Sequence, residues 1–288
     1  MKPQPAREAP LTGRDVVGHF LRREVKSIAY YEPLVHEGSD GEGVHQLRVS
    51  ARRMRSELRA MSGVLPRDPW RELGDDLKWM GAVLGRLRDL DVLAELFDEH
   101  LAQASGLRES VMSTLDRRRA TCRRNVDELL ESARYGRLVK RLNHLSRHPA
   151  MGDVGDVSAS ELFLPSLWDA VGTYFAAIGD PHDHRSDESL HLVRIASKKC
   201  RYNFEVAVLY VGPEARVVAE SLEEIQTILG QVQDRSVAVA FLDSLGLAPD
   251  TDLDVRRALR SEIVELRPQW IPHFHDVQRD VLAVFARG

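Results

Sequence analysis

The sequence predicts an all-α fold built from two four-helix-bundle-like halves, residues 1–148 and 149–288, related by internal duplication and a pseudo-twofold axis. Three observations carry that expectation. Apolar residues recur at helical spacing along nearly the whole chain. Leu, Ala, Arg and Glu are abundant, and no convincing run of alternating β-branched residues occurs. Two motifs recur in the same order at almost one offset.

Breakers divide the chain into elements. Met1–Pro10 is polar and Pro-containing, without the apolar centre of a secretory signal, so a cytoplasmic location is expected. Helices are expected near 12–35, 42–62, 67–87, 91–104, 107–132 and 134–146, with a Gly-rich loop at 36–43. After a loop at 147–160 holding Pro149, Gly152 and Gly155, a second set is expected near 160–178, 188–211, 213–233, 235–245, 251–267 and 271–287. Gly179–Ser189, with Pro181, forms the loop that precedes the second motif, as 36–43 precedes the first. No apolar run approaches the ~18–20 residues needed to cross a bilayer.

The repeat is visible residue by residue. His45-Gln-Leu-Arg48-Val-Ser-Ala-Arg52-Arg53-Met-Arg55 aligns with His191-Leu-Val-Arg194-Ile-Ala-Ser-Lys198-Lys199-Cys-Arg201 at an offset of 146. Leu84-Gly85-x-x-Arg88-Asp89-x-Asp91-Val92 aligns with Leu229-Gly230-x-x-Gln233-Asp234-x-x-Val237 at 145. The apolar positions repeat too: Leu47, Met54 and Leu58 match Val193, Cys200 and Phe204.

Each motif helix sorts its side chains by face. At about 100° per residue, His45, Arg48, Arg52, Arg55 and Arg59 fall within an arc of roughly 80°, with Leu47, Ala51, Met54, Leu58 and Met61 on the other side. His191, Arg194, Lys198 and Arg201 repeat the stripe opposite Val193, Cys200, Phe204 and Ala207. Glu205 stands where Arg59 stood and could pair with Arg201 four residues earlier. Most charge runs are solvated faces, which mix signs because like charges at i,i+4 repel. Here Arg48/Arg52 and Arg55/Arg59 sit four apart with no acid between them on that face.

The pattern points to phosphate. Arginine's planar fork grips phosphate oxygens in pairs and stays charged, whereas Lys198 and Lys199 add compact charges. His45 and His191 can donate to an oxygen or gain a proton when phosphates crowd nearby. Global charge supplies little: the net is −4, with +5 on residues 1–150 and −9 on 151–288. Gly85 and Gly230 permit close helix packing. Asp91 is read as a cap between two helices, and Asp89 and Asp234 as acids that orient basic residues. Cys122 and Cys200 are read as reduced, buried residues without metal-ligand spacing.

The two ordered motifs resemble those of the CHAD family (conserved histidine α-helical domain), from about residue 12 to 287. The resemblance implies paired four-helix bundles around a basic central groove or pore, binding of inorganic polyphosphate, and association with polyphosphate granules. It carries the anion-binding role onto His45, Arg48, Arg52, Arg53, Arg55, His191, Arg194, Lys198, Lys199 and Arg201. Arg59 continues the first stripe, and Lys78 and Arg88 add cations from neighbouring helices. The second copy departs at Gln233 and Glu205 and is less basic, so a weaker grip in that half is expected. The triphosphate-tunnel domain that often precedes this domain starts with an alternating Glu-x-Glu-x-Lys, a pattern the 288 residues do not contain.

Three other readings stand beside this one. An enzyme is disfavoured by the lack of a phosphate loop, a nucleophile elbow or paired carboxylates beside the stripe. A metal or phosphorelay protein would use His45 and His191, but neighbouring arginines repel a metal ion. Nucleic acid, or another phosphorylated polyanion, would suit the charge, yet single-strand binders interleave aromatics and only Tyr202 flanks a stripe. No cofactor or metal is implied.

Overall fold

The computed structural model describes residues 10–36, 41–102, 105–184, 186–247 and 251–286. The polar N-terminus but for its last residue, half of the Gly-rich loop before the first motif and the last residue of the 271–287 helix lie outside that set. Among the described residues the fold is all-α, and the one β-bridge, Thr12 to Ser158, is isolated. None of the described helices is long and apolar enough to cross a membrane.

Five helices come from the first part of the chain: α1 (Gly13–His36), α2 (Gly41–Ala60), α3 (Arg67–His100), α4 (Ser105–Glu131) and α5 (Ala133–Arg147). Five follow: α6 (Ala159–Ile178), α7 (Asp187–Ala207), α8 (Pro213–Ser244), α9 (Leu253–Leu266) and α10 (Ile271–Phe285). Ser132 caps α5 by accepting from the Tyr135 amide, and Ser186 and Ser189 form a reciprocal capping box on α7.

Two expected breaks are absent. The 67–87 and 91–104 helices are one helix, α3, and 213–233 and 235–245 are one helix, α8. No Gly or Pro interrupts either junction, and the apolar period runs on through Leu87, Leu93, Ala94 and Phe97. Asp91 is therefore no cap. It is buried inside α3, where the Arg119 side chain of α4 donates to its carboxylate at 2.7–2.8 Å. A partner from a neighbouring helix makes a buried acid tolerable in mid-helix.

The core is in three parts. One is centred on α1, α2, α5 and the first half of α3, and another on α6, α7, α10 and the first part of α8. The sequence reading did not anticipate the third, in which the far ends of α3 and α8 join α4 and α9 around Phe97, Val111, Leu115, Phe241, Leu242 and Leu259. The side chains assigned to the apolar faces of the motif helices are all buried: Leu47, Ala51, Met54, Leu58 and Met61 on and just after α2, and Val193, Cys200, Phe204 and Ala207 on α7. Cys122 is only half-buried. Arg23 ties α1 to α2 by donating to Glu24 at 2.6 Å and Glu57 at 2.5 Å. Burial, opposed by Arg23, pushes the Glu57 carboxyl up to about 7.

Candidate anion-binding site

The two motif helices, α2 and α7, pack on one another, and so do α3 and α8. Their apolar stripes face their own cores, which turns the basic stripes toward a common junction. Corresponding residues come within electrostatic reach of one another there. Arg48 lies in the field of Arg194, and Lys198 in that of Arg52, Arg194, Arg48 and Arg201. Cations at matching positions along both helices therefore share one region.

Its electrostatics are those of a positive cluster that acids compensate only in part, at Arg48 and Arg88. Burial first, and then Arg52, Arg194, Arg48 and Arg201, push the Lys198 ammonium down to about 7. The Arg48 guanidinium is lowered by burial and by Arg52, Arg194 and Arg88, against Asp89. His45 is lowered by burial and then by Arg88, with Arg52 and Arg48 adding and Glu42 opposing. Among the described residues, Arg52, Arg194 and Lys198 make no ion pair, although arginines elsewhere pair extensively with acids. Among the described residues, the buried Arg52 Nε and His45 Nδ1 have no hydrogen-bond partner.

Two acids brace the junction. Arg48 Nη2 donates to Asp89 Oδ1 of α3 at 3.2 Å, as expected for an orienting acid. Asp234 of α8 is pushed up by burial, against the pull of Arg194. Gly85 makes room for this arrangement: a Cβ there would stand 3.3 Å from Arg48 Nε. Gly230 has no such duty, since a Cβ at that position would meet nothing within 4 Å.

The thirteen cations singled out from the sequence do not all gather at the junction. His45, Arg48, Arg52, Arg88, Arg194 and Lys198 do, with Arg88 also donating to Glu95 at 2.8 Å. His191 and Lys199 are exposed on α7. Arg53 turns to the other side, 3.5 Å from Glu205. Arg201 is buried and neutralised by Glu205 at 3.5 Å and Glu223 at 2.5 Å, so the pairing expected of Glu205 is present and α8 supplies a second acid. Arg201 also stacks over Tyr202, 4.9 Å from its ring centre.

Arg55, Arg59 and Lys78 line a groove of about 540 Å³ between the end of α2 and the start of α3. Arg67 and Arg71 complete it, and the stripe reading missed both. Their signal was available: Arg71 and Lys78 are seven residues apart and share a face of α3.

Residues 19–243 match the CHAD domain. The chain belongs to the CHAD domain family. Among solved structures, the CHAD domain from the plant Ricinus communis is similar, with a TM-score of 0.68 and 26% identity over 99% of this chain and 96% of that one. PptA from Streptomyces chartreusis shares the fold at a TM-score of 0.66 and 18% identity, over 95% of this chain and all of that one. Two uncharacterized Mycobacterium tuberculosis proteins, MT2285 of strain CDC 1551 / Oshkosh and Rv2226 of strain ATCC 25618 / H37Rv, are each 29% identical over 253 residues. Those residues are 84% of this CHAD chain but 48% of each relative, so the chain spans about half the length of the curated relatives it matches.

Proposed function

We propose that this CHAD protein binds inorganic polyphosphate at the junction of α2 and α7, as a binding module rather than an enzyme, and that its two halves arose by duplication. The observation that carries the reading is the environment of Lys198. Four arginines, two from each motif helix, act on one half-buried ammonium, and among the described residues no carboxylate pairs with it. Crowding of this kind opposes folding unless an anion relieves it, and a phosphate polymer supplies closely spaced negative charge with no base to stack. Matching cations from both helices suit a ligand that spans the two halves. Residence at polyphosphate granules in the cytoplasm would follow from the same affinity.

Binding to polyphosphates of graded length tests this directly. Affinity should climb with chain length until both stripes are engaged, because the second contact is then effectively intramolecular. For roughly eight phosphate contacts, the log–log salt slope should lie near −5 to −6 by analogy with single-stranded nucleic acid. R48E/R52E and R194E/K198E should each abolish the climb. A slope near zero, or full affinity in both variants, would refute the reading. Tighter binding of single-stranded DNA than of polyphosphate at matched salt would shift the assignment to nucleic acid.

A further inference from the structure

The groove between the end of α2 and the start of α3 holds five cations: Arg55 and Arg59 from α2, and Arg67, Arg71 and Lys78 from the first turns of α3. Among the described residues, Asp75 is the one acid lining it. None of the five makes an ion pair among those residues, and Arg55 and Arg59 stand four apart on α2, a spacing at which like charges repel. Its floor is apolar, from Leu58, Leu65 and Trp70, so the guanidinium groups stand over a surface that cannot neutralise them.

Arg55 stands between the groove, which it lines, and the motif-helix stripe, in which it follows Arg52 by three residues. That guanidinium is lowered by burial and then by Arg59, while the Tyr202 hydroxyl on α7 opposes them. Arg55 thus has one neighbour in the groove and one on the opposing motif helix. The corresponding groove at the end of α7 and the start of α8 is lined by Glu205, Glu220 and Glu223 as well as by Arg216, so it is not a like cluster of cations. Glu205 stands at the position that matches Arg59 and, with Glu223, holds Arg201. From Arg52 to Arg59 is about 10 Å along the axis of α2. An anion that touches both regions must be a polymer, or at least several linked phosphates.

Resting on the polyphosphate reading above, we propose that this groove is a second phosphate subsite that takes the polymer as it leaves the junction, so that the chain exits over the first half alone. Arg67 and Arg71 are its defining residues. Both are exposed, and replacing them leaves the junction cations in place.

The test is titration of R67E/R71E, R67Q/R71Q and R52E/K198E with tripolyphosphate, long-chain polyphosphate and single-stranded DNA at several salt concentrations. Thermal unfolding checks that each variant is folded. Both groove variants should bind long chains at least about tenfold more weakly, with a salt slope shallower by about 1.4 for two lost contacts. Their binding of tripolyphosphate should equal that of the unaltered protein. R52E/K198E should lose both ligands. If the groove variants bind long chains normally while R52E/K198E fails, the second subsite is wrong and the polyphosphate reading stands. If all three variants bind normally, both are wrong. An equal loss for short and long chains would reduce the groove to a long-range field, and a loss confined to DNA would give it to another ligand; either result overturns the proposal.

Discussion

Lys198 lies where burial and four arginines oppose its charge, and this gives it a titration near neutrality that lysine does not ordinarily have. The sign of the linkage follows. With a folded-state value of about 7 against 10.5, the free protein tends to lose this proton above about 7, and the cost to stability is fully present below that pH and absent above the ordinary lysine value. A bound polyanion reverses the local field and restores the proton. Polyphosphate affinity should therefore rise as pH falls from about 10 toward 7, by up to about tenfold per unit for one proton taken up, and change less below 7 until His45 begins to contribute. K198R keeps a permanent cation and should flatten the alkaline part of this profile while still binding. An unchanged profile in K198R would move the proton to another group. Arg201 behaves oppositely. Its buried guanidinium is held by Glu205 and Glu223, which raise its pKa against desolvation. The change R201M should cost about 2–3 kcal/mol, at or below the lower end of the range for a broken buried pair because Glu223 is 56% exposed. Urea unfolding would show this as a lower midpoint at unchanged slope. A second-half variant that includes R201E is thus not expected to remain as stable as one limited to Arg194 and Lys198, although helical phase alone places the three together.

At the scale of elements, α3 determines how the first stripe is presented. After a non-helical Asp68 near its start it continues without a break to His100, so the whole element spans roughly 50 Å at 1.5 Å per residue and serves three regions. Its first turns wall the groove, Gly85 and Asp89 seat Arg48, and its far end enters the third core. Glycine inside a helix costs about 1 kcal/mol relative to alanine, so Gly85 stands in α3 against propensity. G85A should leave stability equal or slightly higher, while its Cβ presses on Arg48 and weakens polyphosphate binding severalfold. Thermal unfolding and a binding titration on the same sample would separate the two effects, and a loss of stability without a loss of affinity would contradict the assignment. The matching change G230A, where a Cβ meets nothing within 4 Å, is the control and should leave affinity as it is.

At the scale of the whole molecule, repulsion at the α2–α7 junction is an unfavourable term that a ligand can remove. Polyphosphate at a hundred times its Kd should add about 2.7 kcal/mol to stability. For a chain of this size that raises Tm on the order of 5 °C. Chains too short to reach both motif helices should give a smaller rise at equal phosphate concentration, because each bound molecule then relieves one side only. Equal rises across lengths, measured by calorimetry, would mean that the two helices do not share one ligand.

Helical class, the two motifs and the faces of α2 and α7 were determined by the sequence alone, because all depend on local spacing. A stripe every three or four residues must lie on one side of a helix, and the apolar set opposite must be buried. The same locality explains the errors. Arg88-Asp89-Leu90-Asp91 reads as a break when no partner for the acids is in view, but Arg48 and Arg119 arrive from other helices and make the stretch helical. Gly85 and Gly230 match in sequence, yet only the first has a side chain crossing over it. Arg67 and Arg71 join Arg55 and Arg59 across a turn between helices, a distance that no single-helix projection covers. The tertiary structure alone decided which cations stay free. Arg52, Arg194 and Lys198 meet other cations, whereas Arg53 and Arg201 meet carboxylates, because charge compensation depends on which helix packs opposite and not on the helix that carries the residue.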